Sequence, residues 1–152
     1  MDTAQKNEYE TLHISRTFKA PCHKVYEAWT MAKTLSQWFA PSDEMKTEVL
    51  ELDVRVGGRY KIRMEEGGSD CEFHTVGGEY LSITPNEKLI FTWKWEGDDG
   101  NTEMLLTLEF IDKGDTTDFL LTQERIPSEE ARDAHNEGWT GCLTRLDNLL
   151  ID

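Results

Sequence analysis

The sequence lacks any hydrophobic run that approaches the roughly 20 residues a transmembrane helix requires. Its first residues have neither a basic start nor an apolar segment, which predicts no secretory signal and a cytoplasmic location. Prolines number only four, and neither a repeat nor a Pro/Ser-rich linker interrupts the chain. We therefore expect one domain over residues 1–152, with residues 1–9 as a flexible N-terminal tail.

Basic residues are scarce, because 16 Lys and Arg stand against 30 Asp and Glu and the net charge is −14. Phosphate binding needs clustered Lys and Arg, so this balance argues against nucleic acid and against an anionic membrane as partners. The acidity itself is typical of a soluble surface, and an acidic docking surface is the alternative.

Cysteine is also scarce, and the three residues Cys22, Cys71 and Cys142 are far apart. An odd number at wide spacing argues against a disulfide framework and favours free, mostly buried thiols. A zinc site would have to combine Cys71-x-x-His74 with Cys22-His23 and His135, without the closely spaced ligand pairs of known zinc motifs. We expect no metal and no cofactor.

Hydrophobic periodicity predicts a strand, two short helices and then a run of strands. Leu12 to Phe18 alternate as in a half-buried strand, Pro21 starts a helix, and a second helix is expected from Ala32 to Phe39. Further alternating segments are predicted near residues 45–54, 59–64, 73–83, 89–95, 104–110 and 119–125, with turns at 66–70 and 97–101. Gly77-Gly78 indicates a bulge or a sharp bend, and the short connections indicate antiparallel neighbours.

The final segment changes to a helical period. Ser128 is a natural N-cap, and the acidic residues after it favour the positive end of the helix dipole. Apolar and small residues then recur at steps of three and four up to Leu150. A helix of about 22 residues, on the order of 33 Å long, is long enough to cross a sheet. We expect its first half, around His135 and Trp139, to form a pocket wall and its second half to anchor the fold.

These elements predict an α+β fold in which a curved antiparallel sheet wraps around one long C-terminal helix. The large side chains expected to face the space between helix and sheet are Tyr60, Met64, Phe73, Phe91, Trp93, Trp95, Met104, Leu106, Phe119 and Trp139. Each of them alone is typical of a packed core. The architecture, together with polar residues in the inward phase, favours an apolar cavity instead.

Those inward polar residues are Arg16, Gln123, Arg125 and His135. A few polar groups in an apolar pocket orient a ligand, so we include Arg16, Gln123 and His135 among the candidate ligand-binding residues. The alternative for each is a position at the edge of a strand, or a structural hydrogen bond. Ile90, Leu105 and Leu120 fall in the outer phase of the sheet, and we expect a monomer or a weak homodimer.

Several phrases of the sequence resemble the SRPBCC superfamily, which has the START-like helix-grip fold. Within it they resemble the AHSA family, the homologues of the activator of the heat-shock-protein-90 ATPase. They run in order across nearly the whole chain: Arg16–Pro21, Val25–Thr30, Gln37–Pro41, Asp53–Tyr60, Gly78–Leu81, Leu89–Trp93, Thr117–Thr122 and His135–Trp139. The resemblance implies a ligand-binding or interaction domain more than a defined enzyme.

Three functions follow as hypotheses. The first is the binding of a small hydrophobic or aromatic molecule in the cavity. The second is co-chaperone-like regulation of the heat-shock-protein-90 ATPase in a stress response; it ranks second because the eukaryotic activator carries a separate N-terminal domain that this sequence does not show. The third is a cyclase- or hydrolase-like enzyme using His135 with Glu137 or Arg16, although residues two apart on a helix point away from each other. We expect no catalytic site.

Overall fold

The structure, a computed structural model, describes residues 9–66, 73–97 and 102–151. The elements in chain order are β1 (Glu10–Phe18), α1 (Cys22–Thr30), α2 (Ala32–Trp38), β2 (Lys46–Leu52), β3 (Arg59–Glu65), β4 (Phe73–Thr84), β5 (Lys88–Trp95), β6 (Met104–Asp112), β7 (Thr117–Ile126) and α3 (Glu129–Ile151). The tail up to residue 8, most of the predicted turns at 66–70 and 97–101, and Cys71 lie outside the described residues.

The strands form one curved antiparallel sheet in the order β1-β7-β6-β5-β4-β3-β2, with α3 packed on one face. The predicted α+β architecture is confirmed. Because β1 and β2 lie at opposite edges, the chain must cross the sheet between them, and α1 and α2 make that crossing. None of the helices in the described residues is both long and apolar enough to cross a membrane.

The alternation predicted along the strands holds for most positions, and β2 and β7 each contain a break in it. In β2 the pairing with β3 shifts register between Val49 and Glu51, and Leu50 at this shift is 44% exposed. In β7 the backbone of Arg125 adopts a φ of 66°, which interrupts the alternation, and its side chain is exposed while Ile126 is buried. A bulge or a residue in the left-handed conformation changes which side chains of a strand face inward, and composition alone does not indicate either feature.

The Gly77-Gly78 pair marks a place where strands approach each other closely. A Cβ on Gly78 would lie 1.9 Å from the carbonyl oxygen of Thr92, so only glycine fits. The same oxygen accepts a hydrogen bond from Tyr60 Oη at 2.6 Å. The register shift between β4 and β5 itself falls slightly later, between Tyr80 and Ser82.

Helix α3 begins as predicted, because Ser128 Oγ accepts a hydrogen bond from the backbone N–H of Ala131 at 3.1 Å. Its inner face buries Trp139, Cys142, Leu143 and Leu146. It contacts β1, β7, α1 and α2. Strands β3 to β5, at the other side of the sheet, stand away from its first half, and the candidate site lies in that space.

Candidate ligand-binding cavity

A cavity of about 310 Å³ lies between the first half of α3 and strands β3, β4 and β5. The segment that follows α2 closes a further side. Its walls are formed by Phe39, Pro41, Met45, Met64, His74, Trp93, Trp95, Ala134, His135, Gly138, Trp139 and Cys142. The volume is at the lower end of the roughly 300–1,000 Å³ typical of small-molecule pockets.

The inner wall consists of aromatic rings that hold one another in place. The ring centroids of Trp93 and Trp139 are 5.2 Å apart, and Phe39 lies 6.0 Å from the first and 5.8 Å from the second. All three side chains are buried. Rings packed at these distances and angles have few alternative rotamers, so this wall is rigid.

Two glycines of α3 show where the helix approaches the rest of the protein and where it leaves space. A Cβ on Gly141 would lie 2.3 Å from the carbonyl oxygen of Pro41, so the helix contacts that segment directly. A Cβ on Gly138, about one turn earlier, would meet no atom within 4 Å. Gly138 lines the cavity, and its missing side chain is part of the open volume.

Arg145 fixes the segment after α2 on the long helix. Its guanidinium donates hydrogen bonds to the carbonyl oxygens of Gln37, Trp38 and Ala40 at 3.2–3.3 Å, and its Nε contacts Asp43 Oδ1 at 2.9 Å. Cationic side chains satisfy the unpaired carbonyls at the end of a helix in this way. Two cavity residues, Phe39 and Pro41, are therefore positioned by a side chain from α3.

His135 and Trp95 form one polar pair at the wall of the cavity. His135 Nδ1 lies 2.8 Å from the carbonyl oxygen of Ala131, and because a carbonyl only accepts, Nδ1 carries the proton. Nε2 is then free to accept the indole N–H of Trp95 at 3.2 Å. Burial lowers the pKa of His135, and the Ala131 hydrogen bond offsets this in part. The imidazole is therefore neutral at pH 7.

The cysteine in the cavity wall, Cys142, does not provide a nucleophile. Burial raises the pKa of the Cys142 thiol to about 12, so the reactive thiolate is not populated at neutral pH.

Glu137 is exposed on another face of α3, and the Arg16 guanidinium points to Thr144. Neither proposed acid–base partner of His135 thus meets it in the part of the chain that the structure describes. In those same ranges no three His, Cys, Asp or Glu side chains are grouped to hold a metal ion.

The structure brings five of the predicted ligand-binding residues to this cavity: Met64, Trp93, Trp95, His135 and Trp139. Tyr60 and Phe91 line a separate cavity of about 20 Å³, which Trp93 also borders. Met104, Leu106, Phe119 and Gln123 are buried in the packed core. Gln123 accepts a hydrogen bond from Trp139 and donates one to Met104 Sδ at 3.2 Å, so its polar atoms are satisfied within the protein.

Two predicted residues lie elsewhere. Phe73 is 53% exposed, with the Arg63 guanidinium 4.7 Å from its ring centroid, so the expectation that it faces inward is wrong. The buried side chains of Val76 and Tyr80 set the inward phase of β4, and Phe73 is in the opposite phase. Arg16 is half-buried at the sheet edge, and its guanidinium makes long contacts of 3.4–3.5 Å to Thr144 Oγ1 of α3. It does not line the cavity.

The predicted site did not include seven of the lining residues: Phe39, Pro41, Met45, His74, Ala134, Gly138 and Cys142. Ala134, Gly138 and Cys142 share one helical face with His135 and Trp139, and that spacing was a usable signal. The segment from residue 39 to residue 45 carried no such signal, because its place depends on the distant Arg145.

A curved antiparallel sheet that holds one long helix over an apolar cavity defines the helix-grip class of ligand-binding domains. A family model described as "Activator of Hsp90 ATPase homolog 1-like protein" matches residues 19–151. The chain belongs to this family, as the resemblance implied.

Solved structures agree with this assignment. The protein CV1439 from Chromobacterium violaceum is 30% identical, with a TM-score of 0.84 over 92% of this chain and 96% of the other. The AHSA1 protein SPO3351 from Silicibacter pomeroyi is 23% identical, with a TM-score of 0.81 over 93% and 98% of the two chains, and shows the same fold. A protein from Rhizobium leguminosarum is 26% identical, with a TM-score of 0.76 over 94% and 95%. The comparison with curated proteins gives no match.

Proposed function

We propose that this protein binds a small, largely apolar molecule in the cavity between α3 and strands β3 to β5. The observation that carries the proposal is the cavity itself, about 310 Å³ with a wall of aromatic, methionine and small side chains, of which Phe39, Trp93 and Trp139 are buried. Apolar surface transferred from water into such a site stabilises a complex by roughly 25 cal/mol per Å² buried, before the cost of association.

One side of the cavity is exposed to solvent and offers a route by which a ligand enters. Pro41 and Ala134 are exposed, whereas Trp93 and Trp139, which also line the cavity, are buried. A molecule would therefore pass these small side chains and come to rest against the indole rings. The rigid ring packing favours a largely preformed pocket.

Titration with the neutral fluorescent probe N-phenyl-1-naphthylamine tests the proposal. Binding in the cavity predicts a saturable rise in probe emission and quenching of tryptophan fluorescence, since three indoles line the site. Gly138→Leu, which places a side chain inside the cavity, is expected to lower probe affinity at least about tenfold, and Gly138→Ala is expected to preserve both signals. Probe binding that is identical in wild-type protein and Gly138→Leu would overturn the proposal.

The family description supports a second candidate, an effect on the ATPase of an Hsp90-type chaperone. The test is the ATPase rate of the purified chaperone with and without this protein. A rate increase that saturates with added protein supports the candidate. An unchanged rate at high micromolar concentration removes it.

A further inference from the structure

Two side-chain pairs in the cavity wall connect β5 to the first half of α3. Trp93 and Trp95 lie on the same face of β5, and His135 and Trp139 are about one turn apart on α3. Two residues of a strand and four residues of a helix both advance about 6–7 Å, so the two spacings match. In the inner pair, the ring centroids of Trp93 and Trp139 are 5.2 Å apart. In the outer pair, Trp95 Nε1 donates a hydrogen bond to His135 Nε2 at 3.2 Å.

The inner and outer pairs differ in exposure and in chemistry. Trp93 and Trp139 are buried and meet through ring surface that carries no titrating group. Trp95 and His135 are half-buried, and their hydrogen bond requires that Nε2 carries no proton. The outer pair is therefore a connection between helix and sheet that depends on the protonation state of one imidazole.

Protonation of His135 is incompatible with the outer pair. Nδ1 already donates to the carbonyl oxygen of Ala131 at 2.8 Å, so an added proton binds at Nε2. The new N–H then meets the indole N–H of Trp95, and two donors repel each other. The described lining residues include neither Asp nor Glu, so the imidazolium gains no counter-charge from the wall. A charged imidazole and a cavity filled with an apolar molecule therefore oppose each other.

The charged side chains next to His135 on α3 are paired elsewhere or exposed. Arg132, about one turn earlier, contacts Glu10 of β1 at 2.7 Å. Asp133 and Glu137 are exposed to solvent. Exposed charges interact weakly because water screens them, so burial remains the main influence on the imidazole.

The other elements around the cavity carry few groups that compete with this imidazole. On β5, Lys94 and Glu96 are exposed and lie in the opposite phase to the tryptophan of the outer pair. On β4, His74 lines the cavity, and its Nε2 contacts the carboxylate of Glu66. The remaining ionisable groups near the cavity are Cys142, Asp43 and Arg145. His74 is therefore the side chain to compare with His135 when the pH is varied.

We propose that the outer pair makes ligand binding depend on pH: the cavity retains its ligand while His135 is neutral and releases it when His135 is protonated. The inference rests on the proposed function and adds a means of regulating it. Linkage is reciprocal, so a bound ligand must oppose the protonation of His135 by the same free energy. Affinity and protonation therefore provide two separate measurements.

Titration with N-phenyl-1-naphthylamine at pH 7.5 and at pH 5 measures the affinity, because this diarylamine stays uncharged over that range. Circular dichroism at both pH values checks that the protein is folded. Loss of one hydrogen bond corresponds to binding that is roughly three- to tenfold weaker at pH 5. Equal affinity at the two pH values overturns the inference while the proposed function stands. If no saturable binding occurs at pH 7.5, the proposed function fails and the inference fails with it.

Two variants assign the pH dependence to one histidine. His135→Gln removes the titrating group and is expected to give the same probe affinity at both pH values. His74→Gln is the matched control, because it removes the other histidine of the same wall. It is expected to retain the pH dependence of the wild-type protein. A pH dependence that survives His135→Gln, or one that disappears in His74→Gln, overturns the inference.

A measurement on the wild-type protein is independent of whether the variants fold. In ¹H–¹⁵N spectra the indole signal of Trp95 is expected to shift on acidification with the same midpoint as the ring signals of His135. Saturating probe is expected to move that midpoint to lower pH. The indole signal of Trp139, whose acceptor is the side-chain amide of Gln123, is the internal reference. A Trp95 signal that does not follow His135, or a midpoint that the probe leaves unchanged, overturns the inference.

Discussion

Trp139 Nε1 donates a hydrogen bond to Gln123 Oε1 at 2.9 Å, and both side chains are buried. The bond joins α3 to β7 through the core. It also sets the orientation of an indole ring that forms part of the cavity wall. Gln123, which we predicted as a ligand contact, thus serves the cavity by holding Trp139 in place.

Replacing Gln123 with leucine leaves the Trp139 N–H buried without an acceptor. An unpaired buried donor costs about 1–3 kcal/mol, so the free energy of unfolding is expected to fall by that amount in urea denaturation. Thr107→Val, on the outer face of β6, is the control and is expected to stay within about 0.5 kcal/mol of wild type. A loss for Gln123→Leu no larger than that of the control would show that the bond contributes nothing.

Gly138→Leu is expected to fill the cavity without weakening the fold. A side chain at this position meets no atom within 4 Å at its Cβ, and replacing glycine inside a helix gains roughly 0.5–1 kcal/mol. Stability is therefore expected to be maintained or raised while probe affinity falls at least about tenfold. Calorimetry and probe titration on the same samples check both results. Lower stability together with weaker binding would mean that the leucine disturbs the fold.

Gly141→Ala is expected to have the opposite effect on stability from Gly138→Ala. The new Cβ would lie 2.3 Å from the Pro41 carbonyl oxygen, so either α3 or the segment after α2 has to move. Overpacking of this kind costs typically 1–3 kcal/mol, which exceeds the helix-propensity gain of about 1 kcal/mol. Urea unfolding of the two alanine variants provides the comparison. Equal stability of the pair would contradict the close contact between helix and segment.

The sequence predicted most of the fold because alternation and helical period are local signals. Tyr60, Ile62 and Met64 are buried as their alternation indicated, and Ser128 caps α3. The sequence did not predict the positions at which the inward and outward faces of a strand exchange. The bulge beside Leu50 depends on how β2 pairs with β3, which a single segment does not contain.

The cavity was predictable only in part, for the same reason. The helical spacing of His135 and Trp139 indicated one wall, and both residues line the cavity in the structure. Phe73 was expected to face the space between helix and sheet, but it is exposed. An aromatic residue near the end of a strand therefore does not indicate by itself which face of the sheet it occupies. The contribution of Phe39 depends on Arg145, more than 100 residues away, which holds the segment by carbonyl contacts. Interactions between distant segments leave no periodic trace in the sequence.

His135 makes stability depend on pH in a definite direction. Burial lowers its pKa below the ordinary 6.5, so between these two values the unfolded chain binds more protons than the folded protein. The contribution of neutral His135 to the free energy of unfolding is therefore fully present above about pH 6.5. It is lost as the pH falls through the lowered pKa that His135 has in the folded protein. Protonation would also set an N–H against the indole N–H of Trp95. We expect the free energy of unfolding to decrease from about pH 7.5 to about pH 5, and to decrease less in His135→Gln, because the other titrating groups are common to both proteins. Parallel pH profiles for the two proteins would contradict a buried, neutral imidazole at this position.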